Sequence, residues 1–127
     1  MHQLSVIFTV MSIFLLSVLA APLPSDQALV KRDPGRGTWF YDEANESACG
    51  YWDKDNDSIV AISAGIYGPG SYCGKWVWIT ANGVTASAMV ADECEGCGPN
   101  DLDMSIGLFK KFDSLDVGVL SITWGWE

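Results

Sequence analysis

The chain has 127 residues, a formal net charge of −9 and a single histidine, His2. An acidic protein of this kind repels nucleic-acid phosphates and anionic lipid, so neither nucleic acid nor a membrane is an expected partner. Because His2 lies ahead of a predicted cleavage site, the folded part has no imidazole for a catalytic triad or a metal site. Any acid–base chemistry there would depend on carboxyl groups.

The N-terminus predicts a secretory signal peptide over residues 1–20. This stretch is almost uncharged, has an apolar centre and ends in the small residues Ala20 and Ala21, a pattern typical of a cleaved signal. A membrane anchor is the alternative, but the apolar run is near the lower limit for spanning a bilayer. We therefore expect a secreted protein, located outside the cell or in the cell wall.

Residues 21–32 are predicted to be a pro-segment. They end in Lys31-Arg32, a dibasic pair of the kind that kexin-type proteases cut, which indicates a eukaryote and favours a fungus. An ordinary exposed basic pair in a flexible leader is the alternative. The remaining residues, 33–127, are enough for one domain and not for two.

Cysteine usage predicts that the domain is held by disulfides. All four cysteines fall in it, at Cys49, Cys73, Cys94 and Cys97. In an exported domain of this size they indicate two bridges, and we expect the pairs Cys73–Cys94 and Cys49–Cys97. A four-cysteine zinc site is disfavoured because the chain has only one Cys-x-x-Cys.

Two N-glycosylation sequons support secretion. They are Asn45-Glu46-Ser47 and Asn56-Asp57-Ser58, and each predicts a glycan on an exposed loop. Nothing in the sequence calls for a metal ion or an organic cofactor, and a monomer is expected.

Several short strands are predicted along the chain. "GTWFY" at 37–41 and "SIVAIS" at 58–63 are aromatic or apolar and β-branched. "KWVWITANGVTASAMVAD" at 75–92 predicts a hairpin, since Asn82-Gly83 suits a two-residue turn with positive φ. "GVLSITWGW" at 118–126 predicts the last strand by its alternation.

One helix is predicted in "DMSIGLFKKF", residues 103–112. Ile106, Phe109 and Phe112 recur at helical spacing, and Asp103 occupies the expected N-cap position. Many short strands, one short helix and glycines at the corners favour an all-β fold, a small closed barrel.

The segments "GRGTWFYDEANESACG", "SYCGKWVWITANG", "MVADECEGCGPNDLDMS" and "GVLSITW" occur in one order over about 35–127. In that order and spacing the chain resembles the RlpA-like double-psi β-barrel family, whose superfamily includes barwin, expansins and family-45 endoglucanases. The short, secreted, single-domain fungal members are the most similar. The resemblance implies a six-stranded double-psi barrel with a shallow groove that holds a polysaccharide in several relatives. It also implies that the second, sugar-binding domain of expansins is absent.

The resemblance also implies which residues line the groove. Asp103 matches the catalytic acid of the endoglucanases and an essential aspartate of expansins, and Asp92 matches a second groove aspartate. Thr38 matches a groove threonine, while Phe40 replaces a tyrosine that is frequent in relatives. Asp101 stands where relatives often have histidine. The alternative roles are a helix cap for Asp103 and acceptance of backbone amides for Asp92.

Asp42 raises the alternative of hydrolysis. Endoglucanases place their base aspartate four residues after the groove threonine, and Asp42 has that spacing from Thr38. An Asp42–Asp103 pair would then supply the base and the acid of a glycoside hydrolase. An exposed turn aspartate in the acidic stretch "YDEANES" is the simpler interpretation of Asp42.

Six tryptophans offer aromatic faces for stacking on sugar rings. Trp39 and Trp52 lie in loop-rich surroundings and are the expected exposed members of the groove. Trp76 or Trp78, together with Trp124, is expected to fill the barrel instead.

The sequence therefore favours an expansin-like secreted protein that binds or loosens cell-wall polysaccharide, a glucan or chitin, without hydrolysis. The second hypothesis is a secreted protease inhibitor or host-directed effector on the same barrel. The third is a glycoside hydrolase that uses Asp42 and Asp103, although the missing histidine makes an enzyme the less favoured interpretation.

Overall fold

The computed structural model describes residues 33–127, so the predicted signal peptide and pro-segment lie outside the described residues. Within that range the chain forms six β-strands, two four-residue helices and one 3-10 turn. The strands are β1 (Asp33–Phe40), β2 (Ile59–Ser63), β3 (Trp76–Ala81), β4 (Val84–Cys94), β5 (Leu102–Ser105) and β6 (Leu120–Trp126). The helices are α1 (Ala64–Tyr67) and α2 (Ile106–Phe109), and the 3-10 turn covers Leu115–Val117. Among the described residues, no helix has the length and apolar character needed to cross a bilayer.

The six strands close into a barrel in the order β1-β5-β2-β4-β3-β6. β1 runs parallel to β5 and β2 runs parallel to β4, while the other neighbouring pairs are antiparallel. Closure leaves no free edge, because β1 also pairs with β6. The predicted all-β, six-stranded double-psi barrel is confirmed, although the structure has a second short helix, α1, beyond the one expected.

Strand alternation directs the apolar side chains to the barrel interior. On β3 the side chains of Val77 and Ile79 are fully buried, whereas their neighbours Trp76 and Trp78 point outward. The predicted β3–β4 hairpin is confirmed, since Asn82 and Gly83 turn the chain with φ values of 51° and 78°. Both residues in the left-handed region match the twist of a two-residue hairpin turn.

The predicted helix over residues 103–112 is wrong at both ends, because α2 also stops at Phe109, three residues before Phe112. Leu102, Asp103 and Met104 belong to β5, and α2 begins only at Ile106 with Ser105 as its N-cap. Leu102 and Met104 are fully buried on the inner side of β5, so burial of these two side chains decides for a strand. Asp103 consequently points outward from a strand and caps no helix.

The expected disulfide pairs are also wrong, because the bridges are Cys49–Cys73 and Cys94–Cys97. Cys94 and Cys97 lie in one tight turn with their Cα atoms 5.4 Å apart, which is within bonding range. The other two cysteines lie in loops that cross the same part of β4: the Cys49 N–H donates to Ala91 and the Gly74 N–H donates to Val90. Those backbone bonds bring Cys49 next to Cys73.

Candidate functional site

Four residues on neighbouring strands form one row across the outer surface of the barrel. Thr38 on β1 is opposite Asp103 on β5, Asp103 is opposite Ala61 on β2, and Ala61 is opposite Asp92 on β4. Strands in a sheet lie about 4.8 Å apart, so the two aspartate Cα atoms are separated by about 10 Å. We call Thr38, Asp103, Ala61 and Asp92 the aspartate row. Between the two aspartates, Ala61 is only 3% exposed.

Hydrogen bonds fix the orientation of both carboxyl groups in the aspartate row. The Thr38 hydroxyl donates to Oδ1 of Asp103 at 2.8 Å. Oδ1 of Asp92 accepts from the backbone N–H of Ala48 at 2.8 Å and from that of Glu93 at 2.9 Å. Asp92 therefore does have the backbone-binding role named as its alternative. The Oδ2 atoms of Asp92 and Asp103 accept no hydrogen bond from any residue within 33–127, so each can accept one from a ligand.

The electrostatic surroundings of Asp103 disfavour its charge. Burial raises the pKa of its carboxyl group, the hydrogen bond from Thr38 opposes that rise, and the charge of Asp92 adds to it. A carboxyl group whose pKa is raised by burial and by a neighbouring carboxylate is a common feature of ligand sites. Thr38 keeps the group oriented in either protonation state.

A shallow depression of about 280 Å³ adjoins the row at Thr38. The Cys94–Cys97 bridge lines one side, and Arg36 and Asp101 line the other. Asp101, which stands where relatives often have histidine, forms an ion pair with Arg36 at 3.1 Å. It also accepts from the backbone N–H groups of Arg36 and Gly98. The hydrogen bond from the Arg36 side chain is the main reason that the pKa of Asp101 is lowered, so Asp101 is a structural anion here.

Asp42 is not the exposed turn residue that the sequence suggested. Its side chain is only 3% exposed, and its buried Oδ2 has no hydrogen-bond partner among the described residues. Burial, with Asp53 as the leading neighbouring charge, raises the pKa of Asp42 to about 6. Burial also raises the pKa of Asp53, whose Oδ2 is likewise buried without a partner in that range.

A backbone contact explains why the Asp42 side chain turns inward. The Asp55 carboxylate accepts the backbone N–H of Asp42 at 2.7 Å and that of Glu43 at 3.3 Å, which fastens this loop. Sequence reasoning missed the buried pair of Asp42 and Asp53, because the stretch around Asp42 has the composition of an exposed turn.

Many carboxyl groups lie close together in this region. Nevertheless, no set of three or more His, Cys, Asp or Glu residues between 33 and 127 has the geometry of a metal site.

The aromatic candidates are distributed differently from the expectation. Trp52 is 68% exposed, as expected, and Phe40 lies on the same outward side of β1 as Thr38. Trp39 is only partly exposed, because it packs against the core and its Nε1–H donates to the Leu115 carbonyl at 3.0 Å.

Trp124 fills the barrel as expected, with 5% exposure. Neither Trp76 nor Trp78 does so: the two side chains are 45% and 39% exposed on the outer side of β3. The expectation failed for these two because Val77 and Ile79 already fill the inner side of that strand.

Both predicted glycosylation sites lie on the surface. Asn45 and Asn56 are exposed in the long connection between β1 and β2. Their modification stays a prediction.

Comparison with known proteins places this barrel in a family. A family model described as Kiwellin-1 matches residues 36–108, which is more than half of the chain. The allergen Asp f 7 of Aspergillus fumigatus is 40% identical over 84 residues, which cover 62% of this chain and 31% of that protein. The chain therefore spans about a third of the length of that curated relative.

Two solved structures share the fold. The Streptomyces papain inhibitor matches with a TM-score of 0.69 and 30% identity, covering 77% of this chain and 96% of the inhibitor. An expansin of Clavibacter michiganensis matches with a TM-score of 0.70 and 25% identity, covering 76% of this chain and 50% of the expansin. The expected kinship with double-psi barrels is thus confirmed at the level of the fold, while the matching family model is that of Kiwellin-1 and not an RlpA model.

Proposed function

The chain belongs to the Kiwellin-1 family, and from that premise we propose that it is a secreted protein that binds or loosens a neutral cell-wall polysaccharide without hydrolysing it. The observation that carries the proposal is the aspartate row, in which two half-buried, oriented carboxyl groups each keep one oxygen without a hydrogen bond from the described residues. Glucan and chitin present rows of hydroxyl groups, which donate hydrogen bonds to such oxygens.

The shape of the surface supports a chain-like ligand. The row crosses four adjacent strands and continues into the depression beside the Cys94–Cys97 bridge, so the polar groups lie along a line. A mutant of the Clavibacter michiganensis expansin was solved in complex with cellohexaose, and that protein shares the fold at 24% identity. The matched barrel makes up half of that expansin.

Burial of Asp42 favours binding over hydrolysis. Glycoside hydrolysis needs a base or nucleophile that reaches a water molecule or the sugar, opposite the acid. Asp42, the candidate base, is 3% exposed, and the charges that shift its pKa include Asp92 but not Asp103. A hydrolase would need Asp42 to be uncovered and brought towards Asp103.

Secretion is part of the proposal. The apolar N-terminus has the pattern of a signal peptide, and the two disulfides require an oxidising compartment to form. The two exposed sequons are compatible with passage through a glycosylating compartment.

A binding assay with insoluble cellulose, chitin and β-1,3-glucan tests the proposal. We expect at least one of them to retain the wild-type protein, and the double variant Asp92→Asn/Asp103→Asn to bind about tenfold more weakly, since charged acceptors form the stronger hydrogen bonds. Asp116→Asn is the matched control, because it makes the same chemical change at an exposed residue of the 3-10 turn. Equal retention of the double variant and the control would remove the aspartate row as the binding site.

A second candidate function is inhibition of a secreted protease. The observation that favours it is the match to the Streptomyces papain inhibitor, of which this chain covers 96%. The loop after β1 exposes Tyr41 and Trp52, each at 68%, and is fastened by the Cys49–Cys73 bridge. A fastened loop with exposed aromatic residues suits a protein surface, because little conformational entropy is lost on binding. Papain and subtilisin assays at micromolar excess of the protein test this function, and full residual activity of both proteases would exclude it for these targets.

A further inference from the structure

The outer side of β3 carries a second surface that the aspartate row does not explain. Trp76 and Trp78 alternate with the fully buried Val77 and Ile79, so both indoles point away from the core. Residues two apart on a strand are separated by about 6.8 Å, which is of the order of one sugar unit. Outward positions of a barrel strand are usually polar, and two large aromatic side chains there need a reason.

The neighbouring strands leave this surface flat and accessible. In the ladder, Trp78 is opposite Gly125 on β6 and Ser87 on β4, and neither presents a bulky side chain beside the indole. Tyr72 and Trp126 stack at 4.7 Å between ring centroids. Trp126 is opposite the inward Val77 and is partly packed against the core, so this pair borders the outer side of β3 and does not lie on it. Tyr72, Trp76 and Trp126 line an open groove of about 570 Å³. We call these three residues together with Trp78 the β3 platform.

The β3 platform and Asp103 lie on opposite walls of the barrel. In the closed order β1-β5-β2-β4-β3-β6, three steps separate β3 from β5 in either direction. Asp103 and the two tryptophans point outward from these two strands. The Asp92 end of the aspartate row is nearer, because Asp92 lies on β4, the strand that pairs with β3.

Charge distinguishes the classes of partner that would fit. Lys75 and Glu127 are the charged residues that line the groove, and their charges cancel. The protein as a whole carries −9, and several of its aspartates lie close to Asp42 and Asp53, where burial and the neighbouring negative charges raise the pKa of these two groups. The β3 platform is thus a neutral aromatic surface on an acidic protein, which complements a neutral polymer better than it complements a basic or an acidic protein.

Polar groups at the edge of the platform suit hydroxyl-rich ligands. The Ser87 hydroxyl and the Glu127 carboxylate form a short hydrogen bond with each other beside the indoles. The backbone N–H of Glu127 donates to the Trp76 carbonyl at 3.0 Å, which fixes its position. Flat aromatic faces flanked by a few polar groups are the usual composition of a small-ligand site.

We propose that the β3 platform is a second binding surface for neutral polysaccharide, on which Trp76 and Trp78 stack against the faces of successive sugar rings. The class of ligand rests on the proposed function, whereas the location rests on the geometry of β3.

The test compares four proteins on the same insoluble cellulose, chitin and β-1,3-glucan. They are the wild type, Asp92→Asn/Asp103→Asn, Trp76→Ala/Trp78→Ala and Trp76→Phe/Trp78→Phe, each checked for folding by its thermal transition. We expect the alanine pair to bind about tenfold more weakly than the wild type. The phenylalanine pair should lose much less, because it keeps two aromatic faces.

Fluorescence quenching gives a second readout, in which the comparison with the alanine pair isolates Trp76 and Trp78, since the exposed Trp52 contributes in every variant. A soluble hexasaccharide of the retained polysaccharide should protect the wild type and the aspartate double variant from acrylamide quenching, because it covers Trp76 and Trp78. The same oligosaccharide should give no such protection to the alanine pair.

The outcomes separate this proposal from the proposed function. If the alanine pair binds as the wild type does, the platform is overturned while the aspartate row stands. If the alanine pair fails and the aspartate variant binds normally, the platform is the binding surface and the aspartate row is not. If no polysaccharide retains the wild type, both proposals fail.

Discussion

The aspartate row and the β3 platform present different chemistry on one barrel. In the aspartate row, hydrogen bonds from other segments orient the two carboxyl groups: the Thr38 hydroxyl on β1 donates to Asp103, and the backbone N–H of Ala48 donates to Asp92. On β3, Trp76 and Trp78 point outward because Val77 and Ile79 point inward. The orientation of the two carboxyl groups therefore depends on contacts between distant segments, whereas the outward direction of the two indoles follows from the alternation of one strand. Variants that loosen those distant contacts should disturb the aspartate row before the β3 platform.

The largest effect on stability is expected from Gly35→Ala on β1, the strand that carries Thr38. A Cβ atom at Gly35 would lie 1.7 Å from the carbonyl oxygen of Asn100, and a backbone atom cannot move aside cheaply. We expect a loss of more than about 3 kcal/mol in the free energy of unfolding, measured by denaturant titration. Gly65→Ala is the control, since nothing lies within 4 Å of its Cβ position and it sits in a helix, where alanine is favoured. Similar stability of the two variants would contradict the close packing of β1.

The two disulfides should differ in their contribution, because they close loops of different length. Cys49–Cys73 spans 24 residues and fastens the loop whose Ala48 amide orients Asp92, whereas Cys94–Cys97 spans three. Loop-closure entropy predicts a loss of about 3 kcal/mol for Cys49→Ala/Cys73→Ala and about 1–2 kcal/mol for Cys94→Ala/Cys97→Ala. Thermal unfolding of both double variants measures this order. The reverse order would mean that the long loop is held mainly by its other contacts.

Acidification should stabilise the protein through Asp42. Its pKa is raised from 3.8 to about 6 in the folded state, so the folded protein binds the proton more tightly than the unfolded chain does. The destabilisation from the charged form is absent below about pH 4 and complete above about pH 6, which means that stability falls as the pH rises through this window.

The variant Asp42→Asn isolates that contribution. We expect it to raise the melting temperature by a few degrees at pH 7 and to change it little at pH 4, because the wild-type side chain is neutral there. The lowered pKa of Asp101 acts below this window, in the opposite direction. An equal effect of Asp42→Asn at both pH values would show that the charge of Asp42 is not the cause.

The smallest effect on stability is expected from Thr38→Val, which removes the hydroxyl donor to Asp103 and keeps the side-chain volume. The variant should lose about 1 kcal/mol of stability, the usual worth of one hydrogen bond. The pKa of Asp103 should rise further, because the bond from Thr38 lowers it in the wild type. Carboxyl NMR titration measures that pKa, and a fall would contradict the assigned hydrogen bond.

Much of the fold could be predicted from local sequence, but the contacts between distant segments could not. Asn82-Gly83 between two alternating runs identifies the β3–β4 hairpin unaided. The strand β5 escaped prediction because it has only four residues and runs directly into the helical spacing of Ile106 and Phe109. Its strand state is decided by partners on β1 and β2 that lie 40 or more residues away.

In the candidate site, too, some residues could be predicted from the sequence, whereas the contacts between distant segments could not. The resemblance identified Thr38, Asp92 and Asp103, and the structure places all three in one row. The burial of Asp42 could not be predicted, because it depends on the Asp55 carboxylate folding back on the loop. The correct cysteine pairs depend on two loops meeting over β4, which no spacing reveals.

A titration by NMR tests the central claim most directly. Cellohexaose, chitohexaose and laminarihexaose are added to the protein with its aspartate side-chain carboxyl groups and tryptophan indoles labelled. The account predicts that one of them shifts the signals of Asp92 and Asp103 with saturation, shifts those of Trp76 and Trp78 as well, and leaves Asp116 in place. If all four signals stay unmoved at millimolar sugar while the protein is folded, neither surface binds these polysaccharides and the account is wrong.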